Sequence, residues 1–433
     1  MAVFLPFVPN WRNGIRDTYE FKTDVFTTRN GSEQRRATRI NPRRALEVNV
    51  LLDGERMRGF ADAVNRAKDG KVEIADFSAV PALVATTASS GATVLTIDST
   101  PSWMTNGGTY VLMTGRTTSK INVDFVDNNT VILVNPLTKS VGAGACILPM
   151  LPAQIANSNT LSLYTNQVAT APLQFDVEPG FVVRTPDALP FDESAEGDSV
   201  QSFGPAAVLF GRYVLLRKPN FLNRPQVQFN LKFETVDYSR GVVKTFTPVP
   251  IVSRTLTATY MAVNHAEAMA VLDIFMRCKG RAGEIYVPTW GSDFPPVMNV
   301  ADKIVQVAGT DFYETYNEDR AHSAVLIRTK SGTLLPREIN IMAASGGNTF
   351  IEFHEDVGVS ATEIEQISWM FVSRFAQDSL TIEWVTNTVA NISLSFVTLE
   401  NLAAESSYGS NWILATGYWR DRGQWVDSAV WED

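Results

Sequence analysis

The sequence predicts a mostly β protein that is internally duplicated, with one helix in each copy and additional small β units. Three observations predict it. The chain matches itself when shifted by 210 residues, apolar residues alternate with a period of two in both copies, and one amphipathic helical stripe falls at the same place in each. Under the shift, Leu5, Pro9, Asn10 and Asn13 meet Leu215, Pro219, Asn220 and Asn223. Trp11 meets Phe221, while Gly31, Arg44, Leu46 and Gly70 meet Gly241, Arg254, Leu256 and Gly280. A second block matches at an offset of 219, where Asn129, Thr130, Ile132 and Leu161 meet Asn348, Thr349, Ile351 and Leu380. Each match is weak alone, but their shared order and near-constant offset are hard to obtain by chance. Two long copies mean two similar domains, not a solenoid of short repeats.

The elements follow in order. Tyr19, Phe21, Thr23 and Val25 alternate with more polar neighbours, as do Val227, Phe229, Leu231 and Phe233. That is the pattern of a half-buried antiparallel strand. Residues 46–52 and 256–261 repeat it. A helix is then expected over about 53–68, with Met57, Phe60, Ala61, Val64 and Ala67 on one face. Its counterpart is expected over about 264–279, with Ala268, Val271, Leu272, Phe275 and Cys278 on the equivalent face. Spacings of three and four make one apolar stripe. Asp53 and Asn264 are read as N-caps, and Gly70 and Gly280 as the glycines that end the helices. Short strands follow at 72–74 and 284–287. Beyond them lie strands at 109–113, 121–126, 130–134 and 161–163, with tight turns at 127–129 and 345–348. The expected units are a β domain over 1–80 with an accessory β unit over 81–178, and a second such pair over 207–295 and 296–400. Between them, 179–206 is rich in proline, glycine and acids and reads as a linker or extended arm. Residues 401–433 have no counterpart in the first copy.

Bulk composition narrows the class. With 45% hydrophobic and 19% charged residues the chain is that of an ordinary soluble globular protein. Its net charge of −9 disfavours a general nucleic-acid-binding surface. It is compatible with a surface past which DNA slides without sticking. No apolar run reaches the ~20 residues that span a bilayer. The opening residues carry two prolines and no basic stretch, so no signal peptide is expected. Cys146 and Cys278 occupy non-equivalent places in the copies and read as buried small hydrophobes, not as a disulfide or zinc pair.

No catalytic signature emerges. His265, His322 and His354 lack a second histidine or cysteine at ligand spacing. The group His354, Glu355 and Asp356, with Glu363 and Glu365 nearby, is read as a solvated acidic loop. There is no nucleophile elbow, phosphate loop or dinucleotide fingerprint. No cofactor, metal or catalytic residue is expected, and the chain is read as a non-enzyme.

Two features invite partners. The basic run Arg29, Arg35, Arg36, Arg39, Arg43 and Arg44 suits an acidic or polar neighbour such as another subunit, or a solvated strand with Glu33 and Glu47 interleaved, with DNA a distant third. Only Arg44 recurs at the matched site, as Arg254, which suggests a structural role in both copies. The C-terminal stretch holds Trp412, Tyr418, Trp419, Trp425 and Trp431, including four of the nine tryptophans. Such a stretch either packs on its own second domain or docks on a partner, where Trp, Tyr and Arg concentrate binding energy.

The run from Thr23 to Arg36, followed by Pro42, Arg43 and Arg44, resembles the opening of distal tail or tail-tip proteins of long, flexible-tailed bacteriophages. The stretch from Phe275 to Trp290 is similar to the matching region of the same family. The resemblance covers about the first 80 residues of each copy. It implies a tail-tube-like fold, a small β-sandwich or split barrel with one flanking helix. It implies a baseplate protein of the virion, made in the host cytoplasm, that forms a ring at the distal end of the tail. The partners so implied are other copies of itself, the tail-tube protein, the hub or tip protein and a tail fibre, with DNA passing through the lumen. Two tube-like domains per chain favour a homotrimer with a pseudo-six-fold ring, and a homohexamer is the alternative. Arg35, Arg36, Arg39 and the C-terminal aromatic residues are then the expected partner contacts. Pro9, Asn10, Gly31 and Arg44, with Pro219, Asn220, Gly241 and Arg254, are the expected repeated structural positions. A host-recognition or carbohydrate-binding protein on the outside of the tail tip is the other function the β units and tryptophans permit.

Overall fold

Alternating apolar residues require a sheet face to cover them, and each half of the chain answers with the same arrangement. The computed structural model describes residues 2–28, 33–156, 160–181, 201–203, 206–209, 212–237, 239, 241, 243–246, 252–317 and 321–399. The first half runs β1 Val3–Phe4, β2 Ile15–Glu20, β3 Thr23–Thr27, β4 Glu33–Ala37, β5 Arg43–Asp53, α1 Gly54–Arg66, β6 Lys71–Ala75 and β7 Ala82–Leu83. It continues with β8 Val94–Thr96, β9 Thr109–Thr114, β10 Thr117–Asp127, β11 Thr130–Leu133, β12 Cys146–Ile155, β13 Ser162–Leu163 and β14 Val168–Val177. The second half runs β15 Gln201–Phe203, β16 Ala206–Leu209, β17 Arg212–Leu215, β18 Gln226–Asn230, β19 Glu234–Asp237, β20 Val243–Phe246, β21 Ser253–Ala262, α2 His265–Cys278 and β22 Ile285–Pro288. Then come β23 Val297–Ala301, β24 Ile304–Ala308, α3 Asp311–Tyr316, β25 Ala324–Thr329, β26 Leu334–Ser345, β27 Asn348–Phe353, β28 Ile364–Phe375, β29 Ser379–Trp384 and β30 Ala390–Thr398. The protein is mostly β, as its alternation predicts. No helix among the described residues is long and apolar enough to cross a membrane.

The main sheet of the first half is ordered β1–β6–β12–β14–β5–β2, with β13 also beside β14. That of the second is ordered β17–β22–β28–β30–β21–β18, with β29 also beside β30. The opening pair is parallel in both and the remaining pairs are antiparallel. The buried side chains alternate along β5 (Leu46, Val48, Val50, Leu52) and along β14 (Ala169, Ala171, Leu173, Phe175). Both main sheets and both long helices share one continuous core.

The expected division after residue 80 is crossed by the chain. The C-terminal part of β12 pairs with β6, and β14 pairs with β5 along its length, so both complete the sheet begun by residues 1–80. The N-terminal part of β12 instead pairs with β9, which leads through β10 and β11 to β8 and encloses a second, smaller core. In the second half β28 plays both parts, pairing with β22 and with β25, and β26, β27 and β24 follow. One long strand serves two sheets, which sequence alternation alone does not reveal.

Local details sharpen the sequence reading. Helix α1 buries Phe60 and Ala63, not Ala61, which is exposed. Asp53 stands at the N-cap of α1 but makes no capping bond, because its carboxylate pairs with Arg56. Asn264 does cap α2, accepting from the Glu267 amide at 2.9 Å. The turn 128–129 joins Asp127 to Thr130, and the turn 346–347 joins Ser345 to Asn348. Thr130 thus takes the place of Asn348, and buried Leu133 rather than Ile132 is the counterpart of Ile351. The match at 219 is one residue too long there. Of the expected linker, Gln201–Phe203 pairs with β16 and belongs to the second sheet. Gly31, Arg29 and all of 401–433, including Trp412, Tyr418, Trp419, Trp425 and Trp431, lie outside the described residues.

Candidate assembly interface

The two halves meet side by side through unlike edges. Strand β2 of the first half pairs antiparallel with β29 of the second, from Ile15 opposite Trp384 to Glu20 opposite Ser379. Arg16 reaches Glu383 at 2.9 Å across this seam, and the hydroxyls of Thr18 and Thr381 lie 2.9 Å apart. Trp384 is fully buried there and stacks on His265 at 5.2 Å between ring centres. Gly14 permits the approach: its φ is +68°, and a Cβ on it would lie 2.9 Å from the Trp384 carbonyl oxygen.

A hairpin extends the contact. Strands β3 and β4 pair with each other and lie against the second half. The Thr23 amide and hydroxyl each donate to Asp378 at 2.8 Å, and Asp378 also accepts from the Arg281 amide at 3.0 Å. Phe21 packs on Phe275 with ring centres 5.6 Å apart. Gly280 makes room, since a Cβ on it would lie 2.8 Å from Asp378 Oδ1 and 3.3 Å from Phe21 Cβ. Arg374 holds Glu33 with two bonds of 2.7 and 2.9 Å, and Arg35 donates to Glu284 at 2.6 Å.

Burial alone would raise the Glu33 carboxyl, but the Arg374 guanidinium, helped by Arg35 and Arg281, holds it below its ordinary 4.5. A carboxylate with a depressed folded value stabilises the folded state fully above its unfolded value and loses that contribution as pH falls through the folded one. Glu33→Gln is therefore expected to lower the urea midpoint at about pH 6 and to lose that deficit as pH falls from the ordinary 4.5 through the lower folded value. Urea titrations of both proteins across that range check it.

Arg44 lies beneath this seam. Its Nε and Nη2 donate to the two oxygens of Asp17, each at 2.9 Å, and Nη2 also donates to Asp76 at 3.0 Å and Ser78 Oγ at 2.8 Å. Burial works against its charge, but Asp17 and Asp76 keep the guanidinium protonated well above its ordinary value. At the matched position, Arg254 has Val227 where Arg44 has Asp17. It stacks over Phe371 at 4.2 Å and Phe229 at 5.1 Å and lies 3.3 Å from His322 Nε2. The position recurs, but the chemistry does not.

Arg35 is buried and turned onto the second half of its own chain, so it is not a free contact for another subunit. Arg36 is exposed, and Arg39 folds back to the Glu20 carbonyl at 2.7 Å. Pro9 and Pro219 are both buried. Asn10 donates its amide to Asn49 and Asn220 to Thr259, and each accepts through its side chain from the amide two residues on. Gly241 has φ +77° in the second half.

The second half offers the same edge uncovered. Val227, Phe229, Leu231 and Phe233, expected to be half-buried, are all exposed. Strand β18 pairs with β21 and, among the described strands, with nothing on its other side. The alternation was legible, but what covers it was not, because period two marks a sheet face without naming the neighbour.

A cleft of about 360 Å³ opens between the halves, lined by Trp11, Met113, Cys146 and Leu148 on one side and Thr386 and Asn387 on the other. It is apolar, and burial pushes the Cys146 thiol above its ordinary 9.0. Among the described residues no three His, Cys, Asp or Glu side chains converge as a metal site would require. Glu355 instead pairs with Arg337 at 3.7 Å. No family model matches this chain, and no curated protein matches it.

Proposed function

We propose that the chain is a structural virion protein of a long-tailed bacteriophage, forming a ring at the distal end of the tail that joins the tube to the hub or tip around the DNA channel. The observation that carries this reading is the seam itself. Two halves with the same strand-pairing pattern stand side by side and touch through different edges, β2 on β29. Repetition of a heterologous contact between like units generates a ring when the rotation closes. A single ancestral unit, duplicated, accounts for the shared pattern and for the recurring asparagine caps. Three chains supply six units, so a homotrimer suits a pseudo-six-fold ring, with a homohexamer as the alternative. The resemblance of residues 23–44 and 275–290 to distal tail proteins points to the phage context. A net charge of −9 suits a lumen that DNA passes without binding. In this reading the protein works by shape and not by catalysis, and its C-terminal aromatic stretch contacts the tube, the hub or a fibre.

The mass of the purified full chain in solution, with negative-stain images of the same sample, tests the proposal. The expected result is a closed ring of three chains that shows six lobes. Six chains in the ring would replace the trimer and keep the ring. Filaments without closure, or a monomer at every concentration, would overturn it.

A further inference from the structure

We propose that β18 of one copy pairs antiparallel with the β13 edge of the next copy, as β2 pairs with β29 within the chain. The inference rests on reading the chain as a self-assembling subunit, and it names the surfaces that do the assembling. The strand pairings fix the correspondence. Strand β2 lies on β5 as β18 lies on β21, and β29 lies on β30 as β13 lies on β14. Arg16 therefore corresponds to Gln226, and Glu383 to Ser162. Transferring the seam places Gln226 opposite Ser162, Val227 opposite Leu161 and Gln228 opposite Thr160 of the neighbour.

Each side of this pair has the look of an element whose partner has been removed. Tyr19 and Phe21 are 0% and 2% exposed, and their counterparts Phe229 and Leu231 are 59% and 67% exposed. Trp384 is 0% exposed, whereas its counterpart Leu163 is 65% exposed. Strand β29, which has β2 alongside, is six residues long, whereas β13, with no strand on that side among those described, is two. The same holds for the hairpins. The β3–β4 pair is tied down by Glu33, Arg35 and Thr23, while β19 and β20 are exposed throughout, with Val236, Val243 and Phe246 open to solvent. An uncovered apolar edge strand invites another strand. Here the chain carries both the donor edge and the acceptor edge, at opposite ends of its own tandem, so a second copy fits both.

The transferred contact is not a replica. Glu33 and Arg35 become Val243 and Thr245, and their partners Arg374 and Glu284 become Gln154 and Lys71, so the ion pairs are not repeated. Arg224 stands where the seam has Gly14, and Pro225, which has no amide hydrogen, follows it. These two stop the ladder short of Leu163. Main-chain pairing and apolar cover carry the contact between chains.

Disulfide trapping in the full chain tests it. Gln226 and Ser162 are both exposed, so Gln226→Cys/Ser162→Cys leaves the fold intact. Under mild oxidation the double variant is expected to give a ladder of covalent oligomers ending at the number of chains in the ring. Peptide mapping should find the 226–162 link, and neither single variant should produce the ladder. Val227→Lys is expected to weaken association at least about tenfold, with an unchanged thermal midpoint for the chain. An oligomer of the expected mass without the 226–162 link would overturn this pairing and leave the ring standing. A 226–162 link within a single chain would also overturn it. A chain that stays monomeric and unlinked at every concentration would overturn both the pairing and the ring.

Discussion

Replacing Arg44 by methionine is expected to destabilise the folded chain by about 3–5 kcal/mol. The guanidinium is fully enclosed and bonds both oxygens of Asp17 and of Asp76, together with Ser78. Methionine fills much of the space but leaves two carboxylates buried without their cation. An uncompensated buried charge costs far more than the intact pair contributes. Arg44→Lys is expected to fail nearly as badly, because a single ammonium cannot reproduce the planar fork that meets two acids at once. The informative control is Arg254→Met. That arginine is only half-buried and stacks on Phe229 and Phe371, and the loss of that stacking is expected to cost on the order of 1 kcal/mol. Urea unfolding at neutral pH separates the two outcomes. A cost at Arg44 within ~0.5 kcal/mol, the range of an ordinary surface change, would refute the claim that the triad is locked.

These two arginines show how much the sequence discloses. Self-comparison placed them at one site, and the backbone agrees: Arg44 lies on β5 and Arg254 on β21, each paired with its own return strand. It could not disclose their partners. Asp17, Asp76 and Ser78 are separated from Arg44 by 27 to 34 residues, and no period or spacing links them. The long strands, the two helices and the tight turns were legible because each is written in a local pattern. The dual use of β12 and β28 was not, since pairing on a strand's two ends is decided by residues far away. The basic run was misleading for the same reason. Arg35 reads as a surface cation beside Arg36, yet strand alternation sends it inward to Glu284, across 249 residues of sequence. Likewise Val227 to Phe233 promised a covered face, yet all four of its apolar side chains are exposed.

Trp384→Ala is expected to cost about 3–5 kcal/mol. The indole is fully buried where β2, β29 and α2 converge, opposite Ile15 and stacked on His265. Truncation removes that packing from the seam and leaves a cavity between the halves. His265 would lose its stacking partner while still reaching the Ser78 carbonyl at 2.9 Å, so the loss is felt next to the Arg44 triad. Trp384→Phe is expected to cost much less. It keeps an aromatic ring on His265 and removes an indole N–H that has no acceptor among the described residues. The counterpart of Trp384 in the first half is Leu163, which is exposed. Leu163→Ala is therefore expected to change the stability of the chain by no more than ~0.5 kcal/mol. One structural position thus has two predicted costs, and the difference measures what a neighbouring half adds. Thermal and urea unfolding of the three variants, at a concentration where the chain is monomeric, give the comparison. Equal costs at 384 and 163 would mean that the seam between the halves does not hold them together.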